Sequence, residues 1–414
     1  MPYSSAPTEL RYLSGTTFNK THTVADNAAW AAGTATSLRI ESLDTTGLVQ
    51  EGIPNPELQT NLSARPANVP GLRMGSLKFN TSVGSANAST TINPVATVCD
   101  LVLGGSSSPA TTYQDDVEGS STSTNIKMTS HGQVVGQCGL FGVRGDGDGE
   151  GEIRRINVID SANDYTVYPA IADAPATSVD VWNAQQAYFD ASTTQEYLDF
   201  KVIKLDDATP HQLSAIGCQV AGLKVVQTGV GELVQFEWEF NVADWDWELV
   251  GDKATRETDQ TNLSGNAPPF DLSIGQSLIT NASGGTRQQF KIANVTFDTG
   301  INYLKCPDFA GVNGVGGWTK GPSIASGSFD ILSDQDLPGL DADWDAGTAK
   351  HIILQWGHTT TNTFGIVCQN AYLDDKPNPT EVDGFLAHTV KFHCSNGTTT
   401  TNALTQAPYL FVWA

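Results

Sequence analysis

Basic residues are scarce in this chain: 22 Lys and Arg stand against 45 Asp and Glu, a net charge of −23. Nucleic-acid binders neutralise phosphates with Lys and Arg, and anionic membranes attract the same residues, so neither role is expected. No apolar run approaches the ~18 residues that span a bilayer. The N-terminal segment MPYSSAPTELRYLSG lacks a cationic start and an apolar core, so a secretory signal is not expected. The six cysteines, Cys99, Cys138, Cys218, Cys306, Cys368 and Cys394, are far apart and form no CxxC pair. Buried free thiols in a reducing compartment are expected, rather than a zinc site or a disulfide framework.

Catalytic signatures are missing too. The seven histidines show no metal-ligand spacing, and there is no GxSxG, no GxxxxGK[ST] and no GxGxxG between a strand and a helix. No catalytic residue, cofactor or metal is therefore expected, and GGSSS (104–108) reads as a loop after a helix. ADWDWE (243–248) sets Trp245 and Trp247 among Asp244, Asp246 and Glu248. An all-β glycoside hydrolase needs two acids beside aromatics, but a strand end packing in a core or interface is the plainer reading.

The acids are most conspicuous in RGDGDGEGE (144–152), where Asp146, Asp148, Glu150 and Glu152 alternate with other residues. With Asp146 as position one of a calcium loop, Asp148, Glu150 and Gly151 fall correctly. Position twelve is Asn157, which cannot supply the bidentate carboxylate, and EIRRINVI reads as a strand. A solvated hairpin tip is expected, with glycines for the turn and acids to keep it wet.

Period-two segments dominate the rest. In LVQFEWEFNV (233–242), Val234, Phe236, Trp238, Phe240 and Val242 share one face, and Gln235, Glu237, Glu239 and Asn241 the other. SLRIESL (37–43), NIKM (125–128), YLDFKVIK (197–204) and VKFHC (390–394) alternate similarly. NPVATVCDLVLGG (93–105) has helix grammar, with Asn93 to cap, Pro94 to start and Gly104 to stop. TPHQLSAIG (209–217) repeats that grammar. A mainly β fold with one or two short helices follows.

IGCQVAGL (216–223) and IVCQNAYL (366–373) share five of eight residues, and each precedes a strand, VQFEW (234–238) or VKFHC (390–394). GSLKF (75–79) and GSF (327–329) extend the match. Duplication is expected, with a first lobe over 1–250 and a second over 251–414, separated by the polar stretch ending in Pro268–Pro269.

The segment 33–82 reads as strand, long loop, strand. The loop, about 46–72, holds Pro54, Pro56, Pro66 and Pro70, Arg65, and the apolar Leu48, Val49, Ile53, Leu58 and Leu62. So long a loop is usually functional or disordered, and a disordered one would be poorer in apolar residues. An ordered arm packing on a neighbour is expected.

Four features in this order carry a resemblance: RPANVPGLRMGSLKF leading into a long strand, the helix NPVATVCDLVLGG, the strand pair CQVAGLKVVQ and GELVQFEWEF, and its doubling as CQNAYL and HTVKFHC. Together they resemble the tail tube protein of long-tailed (siphovirus-type) bacteriophages, over about half of the chain and in pattern rather than signature. The resemblance implies tandem β-sandwich or barrel lobes whose strands join neighbours into a ring, and rings stacked into a tube for DNA passage. It implies a virion protein of the tail, assembled in the host cytoplasm, that is not an enzyme. Its partners would be itself, the tape measure, the tail terminator and tip proteins, and passing DNA, with no membrane.

This chain departs from the family in being doubled, so that trimers could build a pseudo-six-fold ring, and in carrying extra material at about 105–195. An acidic lining would let DNA slide rather than bind. Gln235, Glu237 and Glu239 are the candidate lumen-facing residues, with Lys391 and His393 at the corresponding places of the second lobe. Residues 46–72 would reach the next ring or chain. The rival expectation is a secreted or virion-surface β-sandwich adhesin or lectin with calcium-binding acidic loops at Asp146, Asp148, Glu150 and Glu152.

Overall fold

Alternation of apolar and polar residues turns most of this chain into strands. The computed structural model describes residues 8–15, 36–38, 40–53, 69–83, 93–107, 114–129, 131–141, 151–172, 180–190, 192, 196–204, 211–229, 232–249, 277–283, 288–312, 314–332, 338–357, 363–397 and 402–414. The strands begin with β1 (Thr8–Gly15), β2 (Thr36–Leu38), β3 (Ser42–Asp44), β4 (Val49–Ile53) and β5 (Val69–Ser82), followed by helix α1 (Pro94–Leu103) and β6 (Gly104–Ser107). Next come β7 (Gln114–Asp116), β8 (Asn125–Lys127), β9 (Cys138–Phe141), β10 (Glu152–Ser161), β11 (Asp164–Tyr168), β12 (Asp180–Asn183) and β13 (Gln185–Phe189). The middle of the chain forms β14 (Tyr197–Lys204), β15 (His211–Gln227), β16 (Gln235–Val242) and β17 (Asp244–Leu249). Then follow β18 (Leu278–Asn281), β19 (Gln288–Gln289), β20 (Ile292–Asp298), β21 (Tyr303–Val312), β22 (Val315–Lys320), β23 (Ser326–Leu332) and helix α2 (Pro338–Asp345). The last elements are β24 (Lys350–Trp356), β25 (Phe364–Leu373), β26 (Asn378–Val382), β27 (Phe385–Ser395), the short helix α3 (Ala403–Gln406) and β28 (Tyr409–Trp413).

Two sets of strands share one connectivity. In the first, β1 pairs β14, β14 pairs β15, β15 pairs β16 and β16 pairs β5. In the second, β18 pairs β24, β24 pairs β25, β25 pairs β27 and β27 pairs β23. In each, the central strand bends between layers: β15 takes β17 along its first half, and β25 takes β28. Each set also carries an added strand, β3 on β5 and β20 on β23, and a helix after β5 or β23. Both added strands end in a related turn, Asp44-Thr45-Thr46-Gly47 and Asp298-Thr299-Gly300. The backbone crosses tightly there. A Cβ on Gly47 would lie 2.8 Å from Ser76 O, and one on Gly300 2.0 Å from Ile324 O. A side chain fits at neither position.

The end of β15 pairs β20, in the register Lys224 to Asp298 and Val225 to Phe297, so the sets join edge to edge. One layer runs β3–β5–β16–β15–β20–β23–β27–β25. A row of cross-strand partners crosses it through Ser42, Asn80, Glu237, Lys224, Asp298, Ser326, His393 and Tyr372. Directly opposed residues share a face, and this one is polar. The other face buries Phe79, Trp238, Phe297 and Phe392 against a second layer containing Phe200 of β14 and Phe364, Phe411 and Trp413 of the second set. Ring centroids cross between layers at 5.5 Å for Phe79–Phe200 and 5.3 Å for Phe236–Phe411. Each ring fully buried this way contributes about 1.5–3 kcal/mol.

The strands between β6 and β13 build a separate six-stranded sheet, β7–β12–β9–β10–β11–β8, with its own core of Ile126, Met128, Phe141, Ile156, Tyr165 and Val167. It lies on the second set. Gln355 of β24, fully buried, accepts from Ile153 N at 2.8 Å and donates to Gly151 O at 2.7 Å. Ile153, Leu140, Ile353, Val367 and Leu410 make a shared apolar seam.

Several expectations need correction. Residues 209–217, read as a helix, lead into β15 and are strand from His211 onward. Leu213 and Ala215 face the core, and the ladders to β14 and β17 outweigh the local helix grammar. Gly104–Ser107 of GGSSS form β6, paired to β13, rather than a loop. SLRIESL is broken into β2 and β3. Helix 94–103 is present, with Asn93 Oδ1 accepting from Val95 N and Gly104 left-handed at φ 84°. Helices α2 and α3 carried too little periodic signal to be read.

The register of the repeat also shifts. Leu223 opposes Trp238 and Leu373 opposes Phe392, so Trp238 and Phe392 correspond, two residues away from the VQFEW and VKFHC alignment. Phe79 takes the place of Gly327, because both are the partners of those residues. A β-bulge at Gly217, with φ 62°, turns Ile216 away from the core that Ile366 enters.

Candidate functional site

The polar face of the eight-stranded layer carries a regular display of charge. Gln235, Glu237 and Glu239 alternate with the buried Phe236, Trp238 and Phe240 on β16. Gln235 donates to Glu41, and Asn80 donates to Gln235 Oε1 at 3.5 Å. Glu239 pairs with Lys78 at 3.0 Å, and Lys224 with Asp298 at 3.1 Å across the join between sets. In the second set Lys391 pairs with Asp375 at 3.6 Å, and His393 with Asp374. Among the described residues Glu237 stands in no ion pair, though Lys224 opposes it on the neighbouring strand. These pairs are exposed, so each adds ~0–1 kcal/mol and serves to balance charge more than to hold the fold.

The register settles one question left by the alternation. Glu237 and His393 lie on the same row, and Gln235 and Lys391 share the next one through Val226, Thr296 and Ser328. Lys391 and His393 therefore share a face with the acids of β16. The face is mixed rather than uniformly acidic.

The arm is placed in part. Leu48 packs on the core, Val49 is 51% exposed on β4, and Ile53 ends β4, which pairs with the first residues of β5. Leu58, Leu62 and Arg65 lie outside the described residues. In the second set the turn at Gly300 leads into the hairpin β21–β22, which holds the place of β4 and early β5. It lies on the first set: Trp318 Nε1 donates to Gly217 O at 3.0 Å, and Lys320 Nζ to Asp190 O at 2.8 Å.

Asp146, Asp148 and Glu150 also lie outside the described residues. Glu152 corrects the expectation of a wet tip, because it is buried at the start of β10 in an ion pair with Arg154. Its Oε2 accepts from Ala172 N at 2.9 Å, so this carboxylate is committed inside the protein. In ADWDWE, Trp245 packs against the main core, and Asp246 bonds Arg73 at 3.0 Å. Asp244 opposes Ile216 on β15. Asp244–Leu249 form β17, paired along the first half of β15.

Among the described residues no cluster of three His, Cys, Asp or Glu side chains could hold a metal. Burial pushes the Cys138 thiol up to about 12, and the Cys99, Cys218 and Cys368 thiols well above their usual range, so these cysteines are inert packing groups. Among the described residues no helix is long and apolar enough to cross a membrane.

Reading the sequence by strand faces found the β16 acids but missed Lys78 as the partner of Glu239 and the Lys224–Asp298 pair beside them, and it read 37–43 as one strand where Ser42–Asp44 forms its own. The related turns at Asp44 and Asp298 were the available signal. Comparison of the sequence with protein families and with characterised proteins finds no match.

Proposed function

We propose that this chain is a self-assembling structural protein: a tail tube subunit of the long-tailed bacteriophage type, in a duplicated two-lobe form. The observation that carries this reading is the single layer of eight strands with one polar face, built from two sets of like connectivity joined edge to edge. A contact between unlike edges is heterologous, and repeated between copies it closes a ring or extends a filament. A ring also removes exposed strand edges, which otherwise invite aggregation. The polar face would line the channel. Its carboxylates are interleaved with lysines, so it presents no dense positive charge to hold phosphate, and DNA would pass without specific binding. The protein would act by geometry and electrostatics rather than bond chemistry. Its partners would be further copies of itself and the tape measure, terminator and tip proteins of a tail.

Negative-stain electron microscopy over a concentration series tests this, with expected hollow tubes or stacked rings that are insensitive to EDTA. Deleting 50–70 should leave soluble protein but abolish tubes; normal tubes from that deletion would remove the arm from the account.

A further inference from the structure

The join between the two sets is a template for a join between copies. Inside the chain, the far edge of β15 pairs with β20, in the register Lys224–Asp298, Val225–Phe297, Val226–Thr296 and Gln227–Val295. Thr299 continues it, donating from N at 3.0 Å and from Oγ1 at 2.9 Å to Leu223 O. Each member has a counterpart. The partners of β20 and β3 on β23 and β5 equate Ser42, Leu43, Asp44 and Thr45 with Thr296, Phe297, Asp298 and Thr299. The shared Leu223 and Leu373 likewise equate residues 224–227 with Asp374, Asp375, Lys376 and Pro377.

Among the described residues those counterparts have no ladder partner on that side: β3 is a strand, and 374–376 follow the end of β25 as a bend. Among the described residues β3 pairs with β5 alone, while β20 pairs on both sides. Ser42 and Asp44 are exposed, as are Asp374, Asp375 and Lys376. On the chain's own side, Asp374 N donates to Lys391 O, and the exposed Lys376 reaches Asp345 of α2 at 3.0 Å, a contact the incoming strand would replace. Among the described residues Thr45, unlike Thr299, makes no side-chain hydrogen bond. One chain thus carries one filled join and the two unfilled halves of another.

We infer that a second copy of this chain fills them. Ser42–Asp44 of one copy would lie antiparallel to 374–376 of the next, with Thr45 donating to Leu373 O, Asp44 beside Asp374 and Ser42 beside Lys376. This rests on the paired registers and not on the tail tube reading. The copy-to-copy join differs from the template in one respect that governs its strength. Where the chain sets Lys224 against Asp298, 3.1 Å apart, two copies would set Asp44 against Asp374. Directly opposed like charges oppose pairing, so the association is weak at low salt and strengthens as salt screens the pair. This makes lateral assembly salt-promoted in a chain of net charge −23.

The test uses the full chain with cysteines placed at Ser42→Cys and Lys376→Cys, corresponding to Thr296 and Val226, whose side chains are on the closely approaching pair of the ladder. Mixing the two single variants under mild oxidation in 1 M salt should give a disulfide-linked dimer, while each alone stays monomeric on a non-reducing gel. The double variant should give a ladder of oligomers. Asp44→Lys should move self-association, followed by sedimentation, to about tenfold lower protein concentration and abolish its salt promotion. Absence of cross-link from folded variants, or linkage of Ser42→Cys to itself, would overturn the inference. The same samples in the electron microscope separate the two readings. A cross-link without tubes keeps this join and removes the conduit, and tubes without the cross-link do the reverse.

Discussion

All seven residues of β24, Lys350–Trp356, are buried, whereas β14, which holds the same place in the first set, alternates from half-buried Tyr197 to buried Phe200. The inward residues match: Leu198 and Ile352 both oppose a cysteine of the repeat and enter the common core. The outward residues differ. Ile353 enters the seam with the inserted sheet, and Asp199 stands in its place in the first set, accepting from Gly217 N at 2.7 Å. One connectivity therefore supports two kinds of outer surface. In the second set, a sheet inserted in the first half of the chain covers β24, and both faces of that strand are buried. In the first set, the hairpin β21–β22 from the second half touches the bulge at Gly217. The two halves exchange coverings, which locks them together beyond the β15–β20 join.

Making the second set resemble the first gives the largest expected effect. Ile353→Asp puts an unpaired carboxylate into a dry seam, and a loss of about 4 kcal/mol or more is expected, read as a collapse of the denaturant midpoint or failure to fold. Acid should attack the same seam. Burial, together with the positive Arg155 and Arg154, pushes His351 down from 6.5 to about 3. Its neutral form is the folded one, so its contribution is full above pH 6.5 and is lost as pH falls from there toward 3, at about 1.4 kcal/mol per pH unit. Calorimetry of His351→Gln against the parent at pH 7, 6 and 5 should show the parent losing stability more steeply. A parallel fall in both would remove His351 from the account.

Gln355→Ala should cost about 1–3 kcal/mol, because Ile153 N and Gly151 O lose a buried partner. The loss should appear as faster hydrogen exchange in β9 and β10 than in β14. Equal acceleration in both would mean that the seam is not a separate cooperative contact. The smallest effect belongs to the polar face: Glu237→Gln should change the melting temperature by no more than the equivalent of about 0.5 kcal/mol, since its carboxylate is exposed. A large loss would mean that this face is packed against something within the chain.

Much of this was legible because alternation reports burial directly. Val234 to Val242 and Tyr197 to Lys204 were readable as strands, and Asn93–Pro94 with Gly104 as a helix. Residues 209–217 were misread because Thr209, Pro210 and Gly217 spell helix boundaries locally, while the partners β14 and β17 that decide the matter are encoded elsewhere. The bulge at Gly217 was invisible for the same reason, and with it the opposite facing of Ile216 and Ile366. The burial of Glu152 could not be read from a run of acids, since it depends on Arg154 and on a loop carrying Ala172. The polar face was half legible. Glu237 and Glu239 follow from β16 alone, but their sharing a surface with Lys391 and His393 depends on the β15–β20 join, for which the sequence carries only two related turns.

The most direct test of the central claim is negative-stain electron microscopy of the purified full chain from low to high protein concentration, in low and high salt. Hollow tubes or stacked rings that grow with concentration and persist in EDTA are the predicted result. Monomers that stay dispersed at every concentration and salt would contradict the account.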